Sequence, residues 1–203
     1  TNTMWVQNPF QIDFYVQDKL EYEGFVATVG LRGEYWDPNC DWYDMDSVRW
    51  DEEFFGDLYK PYAFDDSLEN ERFPRRRAKG QFHLMPRLGI SHPITETSKL
   101  YFNYGHMYQK MSPDYYFQMR RYGDYSLAWI GNPEAQFERT VSYELGFDQS
   151  VGQDYLIHVA AYYKDKSNQA TTTTYRSIAG GNYSVSDDRV YQDIRGLEVT
   201  FKK

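Results

Sequence analysis

One cysteine, Cys40, stands among 203 residues. That excludes a disulfide framework and any metal site built from cysteines. No run approaches the roughly 18 apolar residues of a membrane-crossing helix. This excludes a helical membrane protein and leaves membrane-crossing strands open. Basic residues are the minority: 22 Lys and Arg against 30 Asp and Glu give a net charge of −8. Phosphate binding wants a basic face, so nucleic acid is not an expected partner. The opening Thr1-Asn2-Thr3-Met4-Trp5 has no basic segment leading into an apolar run, so no signal peptide is read there. The chain is expected to begin after one, and Phe201-Lys202-Lys203 reads as a strand cut short.

Aromatics are abundant. They make up 19% of the chain, with 20 Tyr, yet mean hydropathy is −0.78. A membrane barrel combines these properties, with aromatic girdles at both interfaces and a polar interior.

The dominant pattern has period two, the signature of strands with one apolar face. Phe10, Ile12, Phe14 and Val16 alternate with Gln11, Asp13, Tyr15 and Gln17. Phe25, Ala27, Val29, Leu31, Gly33 and Tyr35 alternate with Thr28, Gly30, Arg32 and Glu34. Further strands place Phe82 to Ile90 (even positions), Leu100 to Tyr108 (even), Val141 to Phe147 (odd), Tyr155 to Tyr163 (odd) and Leu197 to Phe201 (odd) on the apolar face. Seven strands result. Each has roughly 10 or more alternating positions, enough to cross a bilayer when tilted. Strands of soluble sandwiches are usually nearer five or six residues.

The connections alternate in length. Short ones are expected at Tyr22-Glu23-Gly24, from His92 to Thr97, and at Gly152-Gln153-Asp154. Long ones are expected from Asp37 to Lys79, Lys110 to Arg139 and Lys166 to Asp188. Outer-membrane barrels have short periplasmic turns and long extracellular loops. Tyr35, Tyr104, Tyr108 and Tyr163 then face out near the long-loop ends, and Tyr22, Phe25 and Tyr155 near the turn ends, as interfacial aromatics do. Two residues fit poorly. Pro86 removes a ladder hydrogen bond in mid-strand and argues for an edge or a bulge. His106 faces lipid by parity, so it is expected above the hydrocarbon. The fold class is therefore all-β: an antiparallel up-and-down transmembrane barrel, present as a partial barrel of about seven long strands.

Several segments resemble the C-terminal half of TonB-dependent receptor barrels. Met85-Pro86-Arg87-Leu88-Gly89-Ile90, Pro93-Ile94 and Phe102-Asn103-Tyr104-Gly105 resemble one of their strand pairs. Gly131-Asn132-Pro133-Glu134, continuing to Tyr143-Glu144-Leu145-Gly146, resembles their most specific element. Arg195-Gly196-Leu197-Glu198-Val199 resembles a strand near the barrel's end. The family pattern has Leu where Ala135 stands and Pro where Phe137 stands. The resemblance implies that residues 1–203 are one partial barrel domain, lacking a plug domain and the rest of about 22 strands. It implies a bacterial outer-membrane transporter importing a scarce nutrient (ferric siderophore, cobalamin, glycan or peptide) with TonB-relayed energy. Implied partners are outer-membrane lipid, the TonB complex through the absent plug, and the nutrient. No cofactor and no enzyme activity are implied.

Candidate sites lie in the long connections. The first holds Trp42, Asp44, Asp46, Trp50, Asp51, Glu52, Glu53, Phe54, Phe55 and Asp57. It reads as a surface for a ligand or partner lipoprotein, or, more simply, as a loop packed on its own aromatics. The spacing of Asp41, Asp44 and Asp46 leaves a Ca²⁺ site open as an alternative, though it lacks the glycine and terminal glutamate of a calcium loop. Arg75-Arg76-Arg77 with Lys79 either binds lipopolysaccharide phosphates or balances the acidic run. In the second connection, Tyr115, Tyr116, Arg120, Arg121, Tyr125 and Trp129 are the expected ligand contacts, because family transporters bind substrate with extracellular loops. Aromatics with Arg can stack on a sugar or grip a ferric-siderophore carboxylate or catecholate. Inward charges such as Asp13, Arg32, Glu34, Arg87, Glu144, Asp148 and Glu198 hydrate a lumen or pair with a plug. Two other readings stand beside the transporter. A soluble carbohydrate-binding module needs its apolar stripes buried against each other. A barrel hydrolase needs a His–Asp pair at a loop base.

Overall fold

The computed structural model describes residues 6–44, 75–122, 127–176 and 182–203. Eleven strands and one short helix occur among them. The long strands are β1 (Phe10–Tyr22), β2 (Phe25–Asp37), β5 (Gln81–Thr95), β6 (Ser98–Gln109), β9 (Glu138–Val151), β10 (Tyr155–Arg176) and β11 (Asn182–Lys202). They pair antiparallel in that order. Two short strands, β8 (Leu127–Ile130) and β7 (Met119–Arg121), extend the sheet beyond β11. Together they form one nine-stranded sheet, curled into a half-barrel. β3 (Asp41–Tyr43) and β4 (Arg75–Arg77) pair separately as the stalk of the first long connection.

The expected faces hold along the register. Val29, Leu88, Tyr104, Tyr143 and Tyr163 are successive cross-strand partners and share the outer face. Tyr104 packs on Tyr143 at 5.1 Å, and Tyr143 on Tyr163 at 6.3 Å, forming a tyrosine row. Eight residues below it on β10, Tyr155 stacks on Phe201 of β11 at 5.4 Å. Eight residues of strand span about 26 Å, or about 20 Å across the membrane at the usual barrel tilt, most of the apolar band of such barrels. Among the described residues no second sheet packs on the outer face, and Phe14, Val29 and Leu145 stay about half exposed there. This overturns the soluble-module reading, which requires those residues to meet in a two-sheet core.

Aromatic rings cover several glycines from the neighbouring strand. Phe14 lies across its partner Gly33 and stacks on Phe82 at 6.5 Å. Tyr101 covers Gly146, and Tyr162 covers Gly196. A Cβ at these positions would overlap the ring.

The turns are tight. Glu23 and Gly24 both have positive φ (48° and 80°) and close a two-residue hairpin between Tyr22 and Phe25. Such turns match the right-handed twist of the strands. The expected six-residue connection from His92 shrinks to Glu96-Thr97, because β5 continues to Thr95 past an irregularity at Pro93.

Two expectations are corrected and one is refined. The connection from Lys166 to Asp188 is mostly strand: β10 and β11 stay paired out to Arg176 and Asn182. Its Thr171-Thr172-Thr173-Thr174 run favours strand, but polar residues on both faces erase the apolar alternation. The ladder breaks around Asn168, whose φ is 57°. Pro86 is an edge on one side only: it pairs with Leu31 of β2 and has no partner on β6. The ladder from β5 to β6 begins only at Arg87 with Gly105, so the proline falls where β5 leaves β6. Tyr108, expected outward, instead stacks on His83 of β5 at 4.3 Å. Separation of β5 from β6 above Arg87 leaves space for its ring.

Candidate functional site

The described parts of the first two long connections fold into one cap over the end of the sheet. Its core is Trp36, Cys40, Ala78, Met111, Tyr116, Phe117, Ala135 and Phe137. Trp36 packs on Tyr116 at 4.9 Å and on Phe137 at 5.4 Å. Phe137 also meets His83 at 4.6 Å. Both departures from the family pattern fall here: Ala135 is fully buried and Phe137 nearly so. Burial pushes the Cys40 thiol up to about 11 and the Tyr116 phenol up to about 12. The Tyr116 hydroxyl accepts the Met111 N–H at 3.2 Å.

The segment Gly131-Asn132-Pro133-Glu134 clamps this cap together. Gly131 N–H donates to Gln118 O at 2.7 Å, and Asn132 N–H to Tyr115 O at 2.8 Å. The Asn132 side-chain oxygen accepts the Glu134 N–H at 3.0 Å. Trp42 Nε1 donates to Gly131 O at 3.0 Å, bringing in the first connection. Glu134 accepts two bonds from Arg76, at 2.6 and 2.7 Å, and a third from Lys79 N–H at 2.9 Å. Burial works against the Glu134 charge, but Arg76 and the Lys79 N–H together hold its carboxyl below the usual range.

The arginine run is committed inside the molecule. Arg76 also bonds Asp44 at 3.1 Å. Arg77 bonds Asp37 at 3.2 Å and Asn39 at 2.9 Å. Arg75 bonds the Tyr43 hydroxyl at 3.0 Å and lies over its ring. This is charge balance, though against Glu134, Asp37 and Asp44. Asp44 is thereby engaged by a cation, which weakens the calcium reading. Asp46, Trp50, Asp51, Glu52, Glu53, Phe54, Phe55 and Asp57 lie outside the described residues.

Of the expected ligand contacts, three come together. Arg120 of β7 and Trp129 of β8 are cross-strand partners, and the guanidinium lies 4.8 Å from the indole centre. Tyr115, from helix α1 (Pro113–Phe117), meets the same indole edge-on at 5.8 Å. Arg120 is exposed, while Tyr115 and Trp129 are half-buried. The Trp129 N–H is shielded from solvent and has no acceptor among the described residues. Tyr116 is elsewhere, in the cap core. Arg121 donates to the Met119 sulfur at 3.0 Å. Tyr125 lies outside the described residues.

Position on β7 and β8 follows from the β10–β11 extension, because β8 runs parallel to β11 with Trp129 opposite Ser184. That extension is held by Asp187, which is 1% exposed. Its carboxylate accepts from Thr173 Oγ1 at 2.7 Å, from Arg189 Nε at 2.7 Å and from Asp188 N–H at 2.9 Å. Burial opposes that charge, but these three donors overcome it and set the Asp187 carboxyl at about 2. Alternation could not reveal this anchor, since Asp187 lies in the stretch read as loop.

The inner face carries cross-strand charge networks. Arg32 bonds Asp13 at 2.7 Å and approaches Glu34 at 3.6 Å; Lys110 approaches Glu34 at 3.7 Å. Asp148 bonds His158 Nδ1 at 2.6 Å and Lys99 at 3.1 Å. The other ring nitrogen of His158 lies 3.3 Å from the Tyr101 hydroxyl. A His–Asp pair therefore exists, but near the short turns rather than at a long-loop base. Its second nitrogen faces a tyrosine instead of a serine or cysteine nucleophile, so the hydrolase reading gains nothing from it.

A family profile described as "TonB dependent receptor-like, beta-barrel" matches residues 3–202. No curated protein sequence matches the chain. Among solved structures, the Serratia marcescens hemophore receptor HasR, in complex with its hemophore HasA and heme, is 16% identical with a TM-score of 0.65; the match covers 96% of this chain and 32% of that one. The FrpB iron transporter of Neisseria meningitidis is 12% identical with a TM-score of 0.56, covering 97% and 23%. The copper transporter OprC is 12% identical with a TM-score of 0.54, covering 94% and 26%. The chain thus spans a third or less of the length of these structures.

Proposed function

Because this chain belongs to the TonB-dependent receptor-like β-barrel family, we propose that it forms part of the wall of a bacterial outer-membrane transporter. Its long connections bind a scarce nutrient outside the cell, and energy relayed by the TonB complex drives import. The Arg120–Trp129 pair carries the binding half of this reading. A guanidinium held over an indole offers charge and stacking surface at one place. That combination suits a sugar ring or the carboxylate or catecholate of a metal chelate. The tyrosine row and the half-exposed apolar face support contact with lipid.

The cargo class stays at the level of a scarce nutrient. The similar structures are named for heme, iron and copper, and identities of 12–16% carry only the fold. The test is uptake in cells with and without a functional TonB complex. Accumulation that requires TonB and falls when Trp129 is replaced by Ala supports the reading. Accumulation indifferent to TonB would sink it.

A further inference from the structure

The stacked Arg120–Trp129 pair belongs to a longer row. Arg120, Trp129, Ser184 and Thr174 stand in register across β7, β8, β11 and β10. They share one face: the guanidinium lies over the indole, and the Ser184 and Thr174 hydroxyls bond each other at 3.0 Å. Three strand spacings give the row a length of about 14 Å. Asn182 and Arg176 are the next cross-strand pair outward, and alternation puts them on the same face. Toward the cap this face is closed. A Cβ at Gly131 would meet the Tyr116 carbonyl oxygen at 2.7 Å, and Ser186 is fully buried. The row is thus a strip, bounded on one side by helix α1 and open on the other.

Arg120, Thr174, Asn182 and Arg176 are exposed, and Trp129 and Ser184 are half-buried. The small hydroxyl side chains leave a flat floor beside the indole. No Asp or Glu stands in either cross-strand row. Arg76, Arg77 and Arg189 are all held by carboxylates. Arg176 has no hydrogen-bonding or ionic partner among the described residues, and Arg120 has only the indole. The chain carries a net charge of −8, so two uncompensated guanidiniums at opposite ends of one strip point to an anionic ligand. Thr174 lies eleven residues beyond Tyr163 of the tyrosine row, about 36 Å along the strand. Even at barrel tilt the strip stands above the lipid headgroups, so its ligand comes from the medium.

We propose that this strip binds a linear acidic oligosaccharide. One sugar ring lays its apolar face on Trp129. Ring hydroxyls bond Ser184, Thr174 and Asn182, and carboxylate or sulfate groups pair with Arg120 and Arg176. A compact metal chelate would engage one end of the strip and leave the other unused, whereas a chain of rings occupies its length. The inference rests on the transporter reading and deepens it by naming the cargo class.

The experiment titrates the intact receptor in detergent with a galacturonic acid tetrasaccharide, a sulfated heparin-derived tetrasaccharide, a neutral galactose tetrasaccharide and a ferric tris-catecholate. At least one acidic tetrasaccharide should bind, about tenfold or more tighter than the neutral one, and its affinity should fall as salt rises. The uronate and sulfate arms tell the two kinds of anion apart. Arg120→Gln and Arg176→Gln should each weaken the acidic ligand about tenfold and flatten its salt dependence. Arg195→Gln, whose guanidinium is paired with Asp193 at 3.3 Å on another part of β11, should bind as wild type does. Equal affinity for acidic and neutral chains, no binding of either acidic chain, tighter binding of the chelate, or binding unchanged in Arg176→Gln each overturns the proposal. Uptake of some other nutrient that still needs both TonB and Trp129 would then leave the transporter reading standing, and the two failures are distinguishable.

Discussion

Arg76 grips Glu134 through two parallel bonds, at 2.6 and 2.7 Å, across 58 residues of sequence. This pair ties the stalk of the first long connection to the Gly131–Glu134 clamp of the second. Charge-assisted bonds of this kind contribute about 1.5–3 kcal/mol, less when partly exposed. Glu134→Gln should therefore loosen β3 and β4 while leaving the long strands intact. Hydrogen exchange checks this: protection should fall at residues 41–43 and 75–77 and persist across β9.

Gly131 tolerates no side chain. A Cβ there would sit 2.7 Å from the Tyr116 carbonyl oxygen, a backbone atom that cannot swing away. Gly131→Ala should cost about 1–3 kcal/mol through overpacking and break the Trp42 bond to Gly131 O. Trp42 should become more exposed, read as a red shift of tryptophan emission that is absent in a Gly105→Ala control.

Asp187 makes the upper hairpin sensitive to acid. Its folded carboxyl is held at about 2 against an ordinary value of 3.8. A depressed carboxyl contributes stability that is full above its ordinary value and is lost as pH falls through the folded one. The extension of β10 and β11 should therefore stay protected at pH 5 and open between about pH 4 and 2. Asp187→Asn should remove that dependence and lower protection near Thr173 at neutral pH, measured by hydrogen exchange.

Binding should depend on the stacked pair. Trp129→Ala removes both the stacking surface and the seat of Arg120, and should weaken nutrient binding about tenfold, or about 1.4 kcal/mol. Arg120→Lys, which keeps charge but loses the flat fork, should fall between wild type and Arg120→Ala. Equilibrium titration of the purified receptor reads the order; equal affinity in all four proteins would remove these residues from the site.

Much of the wall was legible in the sequence, because a lipid-facing strand writes its orientation into every second residue. Parity alone placed Phe14, Val29, Leu88 and Leu145 on one face. It failed where a strand meets water on both sides, so the Thr171–Thr174 stretch read as loop. It failed at Tyr108, because parity assumes a continuous ladder and β5 parts from β6 at Pro86. The ligand residues were only partly legible. Tyr116 and Tyr115 are adjacent and chemically alike, yet one fills the cap core and the other meets Trp129. Only the cap's three-dimensional closure separates them. The partners of Arg76 and Asp187 were illegible for the same reason, as Glu134 and Thr173 are remote in sequence.

The central claim is that one face of this sheet meets lipid and the other an aqueous lumen, and β9 reads both most directly. Single cysteines at 142, 143, 144, 145 and 147, leaving Gly146 under the Tyr101 ring, can be introduced into the native background, since Cys40 is buried and its thiol, pushed up to about 11, stays protonated near pH 7. Each carries a fluorophore, quenched either by a lipid-borne or by a water-soluble quencher in reconstituted membranes. Lipid quenching is expected at 143, 145 and 147, and aqueous quenching at 142 and 144. Uniform aqueous quenching, or the opposite alternation, would contradict the barrel-wall account.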